Sequence, residues 1–171
     1  MAKTRAKRDE YSNVAYASIT MSAANALTFA PIRMAVGIFQ GVGIVVHKIL
    51  YIPTVPTIRE IAAATDSLVM AFCTSDSLTA IDDVIQPAII DVITLAGIGT
   101  NVEIMKTPIV SDFTTLPGGG KIIPANPLFL ALFSAGFTAA GVIRAQIDFT
   151  YIELADKDYI ELIQSQLPAN I

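Results

Sequence analysis

Apolar and polar residues alternate with a period of two through much of this chain, most clearly near its end. From Ile143 the odd positions read Ile143, Ala145, Ile147, Phe149 and Tyr151, and the even positions read Arg144, Gln146, Asp148 and Thr150. A strand points successive side chains to opposite faces, so this run predicts a half-buried strand with one wet face. Val14 to Met21 repeats the pattern, with Ala15, Ala17, Ile19 and Met21 opposite Tyr16, Ser18 and Thr20. Val42 to Ile52 is rich in β-branched and aromatic residues and stops at Pro53, as a strand would. Ile32 to Phe39 runs into Gln40-Gly41 just before it, which suggests a hairpin between the two.

Further along, Ser67 to Thr74 reads as a strand, and Leu78 to Gln86 as a short helix or a loop closed by Pro87. Ile89 to Leu95 and Val102 to Val110 read as strands around Gly97-Ile98-Gly99-Thr100-Asn101. Asp112 to Leu116 leads into Pro117-Gly118-Gly119-Gly120, a strong chain reversal. Lys121 to Ile123 and Leu128 to Phe133 read as one strand interrupted by Pro124 and Pro127, before a connection from Ser134 to Gly141. After Leu154 the period changes. Asp156 can cap a helix from about Lys157 to Gln166, with Tyr159, Ile160, Leu162, Ile163 and Leu167 on its apolar face and Pro168 beyond. Eight strand-like segments without a long helix predict an all-β fold, an eight-stranded jelly-roll β-sandwich with a short C-terminal helix. Residues 1–12 read as a basic N-terminal arm and residues 13–171 as one domain.

Composition adds a second theme. The chain is 53% hydrophobic and only 15% charged, against about 25% charged in ordinary soluble domains. So few charges imply exposed apolar surface and a partner to cover it. Lys3, Arg5, Lys7 and Arg8 supply four of the eleven basic residues, leaving seven against fifteen acidic ones in the rest. A basic tip on an acidic body suggests an arm that binds nucleic acid, although a merely solvated start explains it equally well. No aromatic residues interleave with these cations, so base stacking is not expected of the arm. The basic start leads to Asp9, Glu10 and Tyr11 instead of an apolar run, so no signal peptide is read and synthesis in the cytoplasm is expected. Pro127 to Ile143 is the longest uncharged apolar stretch, short of the roughly 20 residues that a membrane helix needs.

The search for chemistry is mostly negative. His47 is the single histidine and Cys73 the single cysteine, too few for a zinc site, which takes three or four ligands. His47 is expected to be partly buried or at an interface, and Cys73 to be an inert buried thiol. Gly118-Gly119-Gly120-Lys121 ends like a phosphate-binding loop, but Thr115 and Ile122 stand where Gly and Ser/Thr belong. Gly97-Ile98-Gly99 begins like a dinucleotide fingerprint, but Val102 and the lack of a βαβ pattern argue against it. Ser67, Ser75, Ser111 and Ser134 have only His47 as a base, and none lies in a nucleophile elbow. Asp82-Asp83 reads as a solvated loop, with a calcium ion bridging subunits left open. The expectation is a protein without catalytic residues or a resident cofactor.

Ser111-Asp112-Phe113, the Pro117 to Gly120 reversal, and the stretch from Ala125-Asn126-Pro127-Leu128 through Val142 to Leu154 carry a likeness. With its closing Asp148-Phe149-Thr150-Tyr151-Ile152-Glu153-Leu154 and short acidic amphipathic tail, this half resembles the C-terminal half of single jelly-roll major capsid proteins of small icosahedral viruses, those of uncultured environmental viruses included. The resemblance implies two sheets forming a shell wall, many copies of the chain as its own partner, a virion location, and a basic arm facing the genome. The arm here is shorter than in many such capsids. Two other readings stand beside it: a small trimeric β-sandwich module binding a receptor or glycan, and a virion protein in contact with a membrane.

Overall fold

A computed structural model describes residues 7–8, 12–34, 41–82, 85–97 and 108–165. In chain order the elements are β1 (Lys7–Arg8), β2 (Asn13–Thr20), β3 (Thr28–Pro31), β4 (Val42–Pro53), α1 (Val55–Arg59), β5 (Ser67–Cys73), β6 (Ile89–Ala96), β7 (Ile109–Asp112), β8 (Lys121–Pro124), β9 (Phe129–Ala135), β10 (Val142–Glu153) and α2 (Asp156–Ser165). The fold is all-β, two antiparallel sheets with a short C-terminal helix. Ten strand segments are described where eight were expected, because two edges are built from short pieces.

The two longest strands, β4 and β10, pair along their whole length at the centre of the first sheet. The other side of β10 takes β2 from Val142 to Phe149 and β1 at Ile152 and Glu153. The other side of β4 takes β7 at Lys48 to Tyr51 and β8 at Gly43 to Val46. Six strands thus make a sheet four strands wide. The second sheet runs β3-β9-β5-β6.

Alternation decides which side chains meet between the sheets. Ile143, Ala145, Ile147 and Phe149 of β10 face inward with Ile44, Val46, Ile49 and Tyr51 of β4, against Leu68, Met70 and Phe72 of β5 and Leu130 and Leu132 of β9. On β4 the inward set changes phase between Val46 and Ile49. Asp148 pairs with Lys48 but Phe149 pairs with Val46, so His47 is an extra residue, a β-bulge. Without it, one half of this strand would turn its apolar set toward water.

Three expectations need correction. Residues 32–34 are not strand, residues 35–40 lie outside the described residues, and the last described strand before β4 is Thr28–Pro31, which joins the second sheet beside β9. β4 is no hairpin arm, since both its edges are taken by β10, β7 and β8. Lys121–Ile123 and Leu128–Phe133 are not one interrupted strand either. Pro124 to Pro127 carry the chain from β8 in the first sheet across to β9 in the second.

The described part of Leu78–Gln86 is loop, one of the two readings expected for it, and most of Val102–Val110 lies outside the described residues. The sequence reading missed α1, which starts with Val55-Pro56. Buried Thr57 pins α1 to the start of β10 by accepting from Val142 N at 2.7 Å and donating to Val142 O at 3.0 Å.

Candidate functional site

The outer faces of the two sheets differ in character. On the second sheet, Val69, Ala71 and Cys73 of β5 and Ala131 of β9 point away from the core, yet they are buried. The long β5–β6 connection folds over them with Leu78, Ile81 and Ala88, while Leu27, Phe29, Val92, Phe129 and Phe133 ring this cluster half-buried. A cavity of about 260 Å³ opens there, lined by Leu27, Thr79, Ala80, Ile81, Asp82 and Phe133. Burial pushes the Cys73 thiol up to about 12, against a smaller lowering by its bond to the Ser75 carbonyl. The thiol is therefore no nucleophile at neutral pH.

The outer face of the first sheet is open over its lower half. Register places Tyr16, Gln146, Leu50 and Val110 in one row across β2, β10, β4 and β7. Tyr16 is 76% exposed and Val110 50%. The row on one side is Ser18, Arg144 and Ile52, and on the other Val14, Asp148, Lys48 and Asp112. Lys48 and Asp112 pair at 3.4 Å. Asp112 is also held by the Thr114 hydroxyl and amide, which are the main cause of its lowered pKa. Asp148 accepts from Gln146 Nε2 at 2.9 Å, and neither Asp148 nor Arg144 has an ion pair among the described residues. The upper half of this face is closed at its centre, where Val45, Thr150 and Ile152 are buried, while Ile122 at its edge is exposed.

His47 closes part of that upper half. Its Nδ1 lies 2.7 Å from the Gly119 carbonyl, which can only accept, so Nδ1 carries the proton. Nε2 then faces the Thr150 hydroxyl at 3.2 Å. The pair resembles a base beside a nucleophile, but Thr150 is 6% exposed and no substrate could reach it. The ring ties the bulge to the glycine turn. Gly120 leaves the turn so close to β4 that a Cβ there would come within 2.6 Å of the Val46 carbonyl oxygen.

A third polar group lies where β6 and β8 face each other. Tyr51 donates its hydroxyl to Asp91 Oδ2 at 3.0 Å, and Lys121 donates Nζ to the Ile90 carbonyl at 2.7 Å. Burial raises the Tyr51 pKa well above its ordinary value, reinforced by Asp91. Burial lowers that of Lys121, against the pull of Asp91. Tyr51 is fully buried, so this network ties one sheet to the other and offers no open reaction centre.

Of the basic arm, Lys3 and Arg5 lie outside the described residues. Lys7 and Arg8 form β1, in register with Glu153 and Ile152. Asp83 also lies outside the described residues, while Asp82 lines the cavity. Among the described residues no three His, Cys, Asp or Glu side chains gather as metal ligands, and no helix is long and apolar enough to cross a membrane. The outward rows of the first sheet were legible as the polar side of an alternating strand. The β5–β6 cover was not, since nothing in a loop's sequence says which surface it lies on. No family model, curated protein or solved structure matches the chain.

Proposed function

We propose that this chain is a structural subunit that assembles with copies of itself into a closed shell, specifically as a single jelly-roll capsid subunit of a virion. The observation that carries the reading is the strand order. Taking β1 with β2 and β7 with β8, the chain visits the sheets in the order first, second, first, second, second, first, second, first. The sheets themselves read β2-β10-β4-β7/β8 and β3-β9-β5-β6, an order that supports the jelly-roll reading. A second support is the low charge, combined with exposed apolar side chains on the outer face of the first sheet, Val14, Tyr16 and Val110 among them. Identical neighbours are the simplest cover for such surface, and weak contacts repeated many times around a shell add up. In this reading the arm, with Lys3, Arg5, Lys7 and Arg8, faces the enclosed nucleic acid.

Negative-stain electron microscopy of the purified protein tests it. Regular closed particles of uniform size are expected. Monomers or small oligomers at every salt concentration and pH would refute it. The cavity beside Leu27 and Phe133 favours a second reading, a small oligomeric β-sandwich that binds a ligand. Mass photometry separates the two, because a single low-mass species is expected only of the second.

A further inference from the structure

We infer that the open half of the first sheet's outer face is a two-fold interface with a second copy of this chain, its axis lying in the interface along the row Tyr16, Gln146, Leu50 and Val110. The inference rests on the shell reading for its biological setting and on charge placement for its geometry. A residue on a two-fold axis meets its own counterpart, so a charged residue there would face a like charge. The row across β2, β10, β4 and β7 contains no charged residue at all. It offers an aromatic ring, an amide and two aliphatic side chains, each of which pairs well with itself.

The charges sit to either side, and their signs suit an axis along the row. Arg144 lies two residues before Gln146 on β10 and Asp148 two residues after it, both on this outer face. With the axis along the row, heights on the strand are exchanged, and Arg144 of one copy opposes Asp148 of the other, twice per interface. With the axis along β10 itself, Arg144 would oppose Arg144 and Asp148 would oppose Asp148, which like-charge repulsion disfavours. An axis midway between β10 and β4 would set Arg144 against Ile52, and Asp148 against a Lys48 that Asp112 already holds. Stacked sheets lie about 10 Å apart, a gap that an extended arginine and an aspartate span together. Asp148 accepts from the neighbouring Gln146 amide at Oδ1. Arg144 is exposed, and neither it nor Asp148 has an ion pair among the described residues.

Size sets the strength. Four strands about 4.8 Å apart and roughly seven residues at about 3.3 Å each give a flat patch on the order of 450 Å² per partner. Standard interfaces bury about 800 Å² per partner. The two-fold contact is therefore weak alone and becomes effective within a larger assembly.

Charge exchange is the test. Arg144→Asp and Asp148→Arg are each made alone and then together, with circular dichroism to verify folding. Self-association is followed by sedimentation velocity up to high protein concentration, and particle yield by light scattering. Each single variant is expected to weaken association about tenfold or more, because each contact then holds two like charges. The double variant restores opposite charges and returns association to within about threefold of the parent. Tyr16→Lys, which brings two ammonium groups together on the axis, is expected to weaken association like the single variants. The inference is overturned by a double variant no better than the single ones, by single variants that associate like the parent, or by a parent that stays monomeric throughout. Reversible dimers with this charge pattern and no particles would sink the shell reading alone. Particles indifferent to all these changes would sink the interface alone.

Discussion

Tyr51 lies wholly inside the sandwich, and its hydroxyl crosses to the Asp91 carboxylate on the facing sheet. A hydrogen bond to a charged acceptor contributes about 1.5–3 kcal/mol. Tyr51→Phe keeps the ring and should cost about 1–2 kcal/mol, since half-buried Asp91 regains some water. Urea unfolding of dissociated subunits measures this. Tyr51 and Cys73 both have raised pKa values, chiefly through burial. A raised acid stays neutral when folded but ionises when unfolded, so its stabilisation is complete below the unfolded pKa and lost above it. Stability should therefore fall as pH rises past 9.0, the ordinary value for Cys73. Urea midpoints compared at pH 8 and 10.5 check the sign, and Cys73→Ala should make the decline shallower. Asn25 shows what sequence alone conceals. It adopts a positive φ of 60°, accepts from Phe137 N and donates to Phe137 O, both at 3.0 Å. A polar residue in a loop gives no hint of a partner 112 positions away.

Elements were legible where one face meets the core and the other meets water. β10 and β2 alternate cleanly and were read nearly to their ends. β5 was read as well, although its outward residues are apolar too, because its length and β-forming composition sufficed. β3 was misplaced because Thr28–Pro31 is short and ends in proline, while the more apolar Ile32–Phe39 drew the assignment. The bulge at His47 was not legible, because Val45, Leu50 and Ile52 make the outward positions apolar too and hide the change of phase. Two loops give element-scale predictions. Gly120→Ala would press a Cβ against the Val46 carbonyl, and the strain should lower stability by about 1–3 kcal/mol on a denaturation curve. Glu60 accepts from the Thr138 amide and hydroxyl and from the Ala139 amide, and the Thr138 bonds chiefly hold its pKa low. A lowered carboxylate stabilises above its unfolded pKa and loses that contribution as pH falls through its folded pKa. Glu60→Gln should accordingly flatten the acid limb of stability against pH, read from thermal melts between pH 6 and 3.

For the whole molecule, the proposed function divides labour between a basic arm and an acidic body. Removing residues 1–6 leaves β1 in place, and with it the seam beside Glu153. Such a variant should still form particles if packing between bodies drives assembly, while the ratio of absorbance at 260 to 280 nm in purified particles falls as nucleic acid is lost. Higher salt should weaken what binding remains, since ionic contacts to phosphate release counterions. An unchanged ratio would remove the arm from nucleic-acid binding. The all-β fold class was accessible from alternation. The location of the open patch was not, because it depends on which strands become neighbours across more than a hundred residues.

The flanking of β10 has one further consequence. Its main chain is bonded to β4 on one side and, on the other, to β2 along Val142–Phe149 and to β1 at Ile152–Glu153. The most regular amphipathic segment of the chain thus offers almost no free backbone to serve as a template for fibril growth. A newcomer approaching this strand can be told from an impostor only by side-chain shape and sign, and a few surface substitutions would suffice to change which neighbours it accepts.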